Sequence, residues 1–433
     1  MTRANAVKSA AIIGGGVAGS AAALALEKAG IAPVVYEAYP NTAEGVGAFL
    51  TVATNGIDAL RVLDAAGPVL DLGFPTPAIT LRSGTGKRLG ATPTGYPLPD
   101  GTVSQTITRA DLYMSMQQLV RDRGIRVEHG KRLVDATDTG YGVRANFADG
   151  TTASADILVG CDGVHSTVRG LIDSHAPAPR YEGLVTTGGY ATGVAAEIPG
   201  GGYEMIFGKR AFFGYAAAPD GRVWWFANLP WQPEPSHSEL RVLDENERHG
   251  LLLEAFSDDA GPGCALIDAT PEIAPFSGIH TLARLPSWHR GRMVVIGDAA
   301  HAPSPTSGQG ASLSVEDAVL LALCLRDAPE PGTAYSRFEA LRRKRVEPIV
   351  RWAARFNSSK AAGPVARAFR DAMLPAALRM AAGSKAQRQV FDYHLDWQAG
   401  IADLRRNPSG RALTGDPAGR KRAASLGFGV GEL

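Results

Sequence analysis

Short apolar runs that stop at a glycine or an acid, each followed by a helical stretch, mark both ends of the first 330 residues of this chain. The run at 10–13 leads into Gly14-Gly15-Gly16-Val17-Ala18-Gly19 and a helical stretch at 20–29, and a second run at 33–36 ends on Glu37. The order recurs late in the chain, where 293–296 is apolar, Gly297-Asp298 follows, and a small-residue loop precedes a helix at 312–326. That helix places Val315, Ala318, Val319, Ala322 and Leu323 on one face. Between the two ends, 55–66 and 109–123 read as helices, and 125–160 alternates strand and turn, with Ala148-Asp149-Gly150 as a hairpin signal. Strand-length apolar runs that alternate with helices predict a parallel sheet with crossover helices.

Residues 178–285 have a different rhythm. Aromatic runs at 203–207, 211–219 and 223–230, joined by turns such as Pro219-Asp220-Gly221, predict an antiparallel sheet inserted between the two halves of the parallel-sheet unit. The expected fold class is α/β. A Rossmann-like domain comprises 1–75, 101–177 and 286–330, and a substrate-binding sheet domain comprises 76–100, read as a small hairpin, and 178–285. Helices are expected over 331–403. Residues 404–433 mix basic side chains with Gly, Pro and Ala, lack apolar periodicity, and predict a flexible basic tail.

Composition narrows the partners. A chain of 433 residues, 45% hydrophobic and 20% charged, is ordinary for a well-buried globular protein. A net charge of +1 supplies no field to recruit nucleic acid or a membrane, so a small-molecule partner is expected, with the protein a monomer or homodimer. Cys161, Cys264 and Cys324 lack metal-ligand spacing, which fits a reducing, cytoplasmic setting without disulfides or a metal site. The uncharged stretch 9–26 imitates a signal peptide or short membrane span, but its three consecutive glycines and the strand that follows predict strand, turn and helix.

The chemistry sits in three glycine-containing segments. Gly14, Gly16 and Gly19 have the G-x-G-x-x-G spacing that lets backbone approach a pyrophosphate and aims a helix N-terminus at it, and Glu37 is placed to accept ribose hydroxyls. Together they predict a bound adenine dinucleotide. Asp298, at a strand end, can hold a polyol by charge-assisted hydrogen bonds, and the backbone at Gly308–Gly310 can present amides to a large flat ligand. The third segment, 155–172, is a strand followed by Cys161-Asp162-Gly163, with Ser166 and Arg169 at a helix start.

With these three segments in order, the chain resembles the para-hydroxybenzoate hydroxylase family of single-component, FAD-dependent monooxygenases from about residue 10 to 354. The resemblance implies that Gly14, Gly16, Val17, Ala18, Gly19, Glu37 and Ala38 hold the adenosine half of FAD, and that Gly297 and Asp298 hold the ribityl chain and nearby phosphate. It places Asp162 and Gly163 between flavin and nicotinamide, with Arg109 opening the helix before that motif. Pro305, Gly308, Gln309, Gly310 and Ala311 belong to the loop beside the flavin ring, and the loop at 42–54, with Gly45 and Gly47, passes close to it. NAD(P)H would be a visiting co-substrate, and O2 would be activated as a flavin C4a-hydroperoxide that hydroxylates an aromatic or polycyclic molecule. No catalytic side chain is implied, because the flavin carries the chemistry.

Several readings stay open at this stage. His301 is either a base or a histidine packed under the cofactor loop. Phe213, Tyr215, Trp224 and Phe226, with Pro305, either line the substrate pocket or, for the four aromatics, form a sheet core. Thr187-Gly188 stands where many members acting on small aromatic acids carry Trp-Arg, which favours a larger or uncharged ligand. Ser312 stands where an asparagine is common, shortening one polar contact near the flavin. Only nine lysines beside abundant Arg and Ala fit a GC-rich bacterial source and specialised metabolism. Alkene epoxidation or drug inactivation on the same fold are alternatives. An NAD-dependent dehydrogenase would leave the Gly297-Asp298 segment without a role, and a flavin-holding regulatory protein is the reading outside enzymology.

Overall fold

A computed structural model describes residues 7–40, 49–196, 198, 201–282, 284–357, 360 and 363–400. Most of the loop at 42–54 and the expected tail at 404–433 fall outside the described residues. The first sheet has the order β18 (His289–Arg290), β19 (Met293–Val295), β12 (Ile157–Gly160), β1 (Ser9–Ile13), β2 (Ala32–Tyr36), β8 (Arg126–Glu128). Its pairs are parallel except β18–β19. The central strands β1 and β12 are covered on both faces, which is why they are apolar without alternation. The uncharged stretch 9–26 lies in β1 and in α1 (Val17–Lys28), and no helix among the described residues is long and apolar enough to cross a membrane.

Helix α1 is rich in Ala, and residues 19–26 are fully buried between the sheet and α9 (Gly310–Asp327). Further helices frame this unit: α2 (Thr54–Val62), α3 (Gly67–Leu72), α4 (Arg109–Asp122), the short α5 (Thr167–Ile172) and α10 (Pro331–Asn357). The alternating segment forms an antiparallel sheet, β9 (Leu133–Asp138), β10 (Val143–Phe147) and β11 (Thr152–Ala155), with the Ala148–Gly150 turn joining the last two.

The second large sheet has the order β17 (Ser277–Thr281), β13 (Arg180–Ala191), β16 (Val223–Pro230), β15 (Phe212–Ala217), β14 (Tyr203–Phe207), β5 (Ala78–Ser83), β6 (Arg88–Pro93). It is not wholly antiparallel: the β5–β6 hairpin joins through β5, which runs parallel to β14. A small sheet of β3 (Phe49–Val52), β7 (Gln105–Thr108) and β4 (Phe74–Pro75) is built from the segments that flank the β5–β6 hairpin in sequence.

Three helices interrupt the region expected to be all sheet: α6 (His237–Val242), α7 (Glu245–Phe256) and α8 (Gly263–Asp268). Two begin at capping boxes, Ser236 with Glu239 and Asp244 with Glu247, a signature readable in the sequence. They cover one face of the second sheet and, with it, bury Val185, Phe213, Tyr215, Trp225, Leu252, Phe256 and Ile267. The opposite face carries Tyr203, Met205, Phe212 and Trp224, partly covered by Leu374 and Leu378 of α11 (Pro364–Ala381). A last helix, α12 (Lys385–Phe391), follows.

Strand alternation therefore separates the four aromatics expected to share a pocket. Phe213 stacks on Trp225 at 5.4 Å and meets Phe256 edge-on at 5.1 Å, in the core beneath α7. Phe213→Ala should lower the free energy of unfolding by about 3–5 kcal/mol, the range for truncating a buried aromatic. Urea unfolding of the variant measures this, and a change within experimental error would contradict the core assignment.

Candidate active site

A cavity of about 2820 Å³ opens between the two large sheets, well above the roughly 300–1000 Å³ typical of a drug-sized ligand. The glycine motif, Glu37, Asp162, Asp298 and the 305–311 loop all reach it, although they come from segments up to three hundred residues apart.

Its first wall is built by close approach. Gly14 has φ of +99°, and a Cβ there would lie 2.5 Å from the Cys161 carbonyl oxygen. A Cβ on Gly19 would lie 1.8 Å from the Gly14 carbonyl oxygen, so any side chain would push α1 off the turn. Gly16, Val17 and Ala18 consequently bring the start of α1 to the cavity, with neither a side-chain cap nor an acid in the first turn. Helix α9 does the same at Gly308, Gln309, Gly310 and Ala311, again uncapped and without a first-turn acid. Two free helix N-termini facing one cavity suit an anionic, phosphate-bearing ligand.

Acids stand at the ends of β2 and β19. Glu37 is buried at the cavity wall beside Ala38, where Oε2 accepts from Gly15 N–H at 2.6 Å and Oε1 from Tyr39 N–H at 2.9 Å. Each carboxylate oxygen keeps a second lone pair for a ligand hydroxyl. Asp298 is open to the cavity yet surrounded by protein, and among the described residues its carboxylate has no hydrogen-bond partner. Burial pushes its pKa up, against the opposing charges of His301 and Arg109. Arg109, the first residue of α4, lines the same space behind its Thr108 cap. These features fit FAD: amides for the pyrophosphate, Glu37 for a ribose, and an unsatisfied acid for a polyol chain.

Asp162 is differently engaged. Its Oδ1 accepts from Ser166 Oγ at 2.5 Å and its Oδ2 from Val168 N–H at 3.0 Å, so the carboxylate caps α5 while lining the cavity, and burial raises its pKa. Arg169, which the motif reading left without a role, is buried and donates to the Val164 and Ala299 carbonyls at 2.8 and 3.3 Å. It ties the Asp162-Gly163 loop to the Gly297-Asp298 loop. Gly19, Gly163 and Gly297 themselves lie behind the lining.

Beneath the second loop is a buried charge cluster that motif reading missed. Asp317 Oδ2 accepts from Gly297 N–H at 2.8 Å and lies 2.7 Å from His301 Nε2, while its Oδ1 accepts from Arg342 Nε at 2.5 Å. Glu316 accepts from Arg342 and Arg345 of α10 and from Asn55 Nδ2 of α2, and Asn55 also donates to Gln309 Oε1 at 3.0 Å. His301 is 2% exposed, packs on Trp288 and does not line the cavity, which supports the packed reading over the base. Ser312 is likewise off the cavity. Its Oγ accepts from Ala53 N–H at 3.1 Å, and a Cβ on neighbouring Gly56 would lie 2.4 Å from that oxygen, so this position governs how closely α2 approaches α9.

The far wall is the open face of the second sheet. Of the expected aromatics only Phe226 lines it; Phe213 and Tyr215 point into the core under α6–α8. Trp224 shares the face of Phe226 but is buried among Phe49, Phe74 and Tyr190. Missed lining residues include Phe49, Met205, Phe212 and Tyr203, whose hydroxyl bonds Thr51 and Thr106 at 3.0 and 2.6 Å. Thr187 and Gly188 also line the cavity, as does Pro305 in a short turn at Pro305–Ser307.

Residues 7–353 match the family described as FAD binding domain. The chain is 33% identical over 358 residues to 3-amino-4-hydroxybenzoate 2-monooxygenase PtmB3 of Streptomyces platensis, covering 79% of this chain and 85% of the relative. It is 31% identical over 341 residues to aurachin C monooxygenase/isomerase of Stigmatella aurantiaca, covering 78% and 86%. Among solved structures, that of Klebsiella pneumoniae HpxO complexed with FAD and uric acid superimposes with a TM-score of 0.76 at 26% identity, covering 88% of this chain and 95% of that one.

Three outcomes test this site. Glu37→Gln removes the charge and turns an NH2 donor against the Gly15 or Tyr39 N–H, and should cost at least about 1.5–3 kcal/mol of FAD affinity, measured by titrating apoprotein with FAD. Arg342→Met should destabilise by about 3–5 kcal/mol, because it leaves two buried carboxylates undercompensated. Burial raises the Glu316 and Asp317 pKa values, but the arginine charges, joined at Asp317 by His301, outweigh it and hold both below the ordinary range. Their contribution is thus complete above the unfolded values near ~4 and is lost as pH falls through the lower folded values. Unfolding curves taken downward from about pH 4 should show a shallower loss in Glu316→Gln than in the unmodified chain.

Proposed function

The chain belongs to the para-hydroxybenzoate hydroxylase-like family of FAD-dependent monooxygenases, and on that footing we propose that it hydroxylates an aromatic or polycyclic small molecule using NAD(P)H and O2. One observation carries the reading: a single cavity joins two uncapped helix N-termini and two acids to an apolar, aromatic sheet face. FAD supplies the two-electron redox chemistry and the activation of oxygen.

The protein's task is then binding, orientation and exclusion of water. The start of α1 would face the pyrophosphate, Glu37 the ribose, and Asp298 with the start of α9 the ribityl chain and ring. Arg169 and the Glu316–Asp317 cluster hold the two loops that carry these groups, so their contribution is positional. Phe49, Met205, Phe212 and Phe226 form an apolar wall against which a flat ring packs, and such a wall keeps water from a reactive oxygen species. Small Thr187 and Gly188 leave room for more than one ring. PtmB3 is named for a substituted benzoate and the HpxO complex holds uric acid, both flat rings, which supports the same class here. This reading carries NAD(P)H as a visiting co-substrate, a place in bacterial specialised metabolism, and action in the cytoplasm as a monomer or homodimer.

The purified protein is expected to be yellow and to release FAD on denaturation. A screen of ring compounds should find ones that stimulate NAD(P)H oxidation and recover product carrying one oxygen atom from 18O2. A colourless protein that binds NAD alone would overturn the proposal, as would stimulated oxidation whose only product is hydrogen peroxide across the whole screen.

A further inference from the structure

A lysine from outside both sheets reaches the aromatic end of the cavity. Lys360, between α10 and α11, is 4% exposed and lines the cavity, with its Nζ 4.3 Å from the centroid of the Phe212 ring. Its ammonium donates to Asn228 Oδ1. The orientation of that amide is set by the opposite end, where Nδ2 donates to Thr186 Oγ1 at 2.9 Å and to the Ala227 carbonyl at 3.0 Å. Asn228 and Thr186 face each other across β16 and β13 and both line the cavity.

The accounting of donors and charge is incomplete. A lysine ammonium has three N–H donors, and among the described residues one is used. No carboxylate pairs with it among the described residues, and the Phe212 ring face offsets only part of the cost of burying a cation. Burial pushes the Lys360 pKa down to about 7, so an arriving anion would favour the charged form. The surrounding sheet face, Leu81, Met205, Phe212 and Phe226, is apolar and supplies no such anion.

Resting on the hydroxylase reading, we propose that Lys360, aimed by Asn228 and Thr186, binds an oxyanion carried on the substrate ring, a phenolate or a carboxylate. Lys360 thus brings a cation to the chamber from outside both sheets. A ring packed on Phe226 would extend its oxygen to the free N–H groups of Lys360, so the pair selects substrates by charge and fixes which edge of the ring turns away from the sheet. An ionised hydroxyl also makes the ring richer in electrons, as an electrophilic oxygen transfer requires.

Equilibrium binding to the FAD-loaded protein, without NAD(P)H and so without turnover, tests this. The probes are 4-nitrophenol, 4-nitrobenzoate and neutral nitrobenzene, followed by calorimetry. At least one oxyanion should bind roughly tenfold or more tightly than nitrobenzene, as one charge-assisted hydrogen bond allows. Which of the two is preferred separates phenolate from carboxylate. Lys360→Met should abolish the preference while leaving the nitrobenzene affinity and FAD content unchanged, and Lys360→Arg should retain part of it. Equal weakening of all three probes would reduce Lys360 to packing. A preference that survives Lys360→Met, or none in the unmodified protein, would overturn the proposal. An intact preference in a protein that oxygenates no ring compound would overturn the hydroxylase reading alone.

Discussion

Two adjacent carboxylates inside α9, Glu316 and Asp317, are the constraint on which the site depends. Both are fully buried, and both are compensated by arginines that arrive a turn apart on α10. Such a cluster is specific because it is intolerant: each member has partners for its charge, and removing one strands the others. Through Asp317 it holds the Gly297 amide at the end of β19, and through Glu316 and Asn55 it holds α2 against Gln309. The loop that presents Asp298 is thus braced from below by charge.

The opposite half of the cofactor site is braced by close packing and by carboxylates bonded to backbone amides, Glu37 to Gly15 and Asp162 to Val168. At Gly14 and Gly19 the turn, α1 and the Cys161-Asp162 loop approach so closely that a methyl group has no room. Arg169 then links the two halves by bonding carbonyls of both loops. The result is a rigid frame with open amides and acids, which suits a bound cofactor that does the chemistry while the protein positions it. The second sheet is used on both sides: one face is sealed by α6–α8, and the other lines the cavity, which Lys360 also reaches.

Much of this was legible in the sequence because it depends on local order. The strand, glycine turn and helix at 10–29, the acid at Glu37, and the Gly297-Asp298 segment each carry their own signal within about twenty residues, and the structure brings all of them to one cavity. The runs at 203–207 and 223–230 are strands with those same bounds. The capping boxes at Ser236 and Asp244 are equally local, yet the aromatic runs beside them lead to an all-sheet expectation that misses α6 and α7.

What the sequence by itself determined was the identity of the elements and the kind of ligand, since a glycine turn before a helix has the same physical meaning wherever it is packed. Only the tertiary structure decided which face of the second sheet met the cavity, because alternation separates Phe213 from Phe226 without saying which side is sealed. It also decided the parallel joining of β5 to β14, the burial of His301 against Asp317, and the pairing of Glu316 with Arg342 and Arg345. Those pairs lie 26 and 29 residues apart on two separate helices, and Lys360 meets Asn228 across 132 residues. Charges that look like solvated helix faces in one dimension become a buried frame once two helices pack, and no local pattern marks the difference.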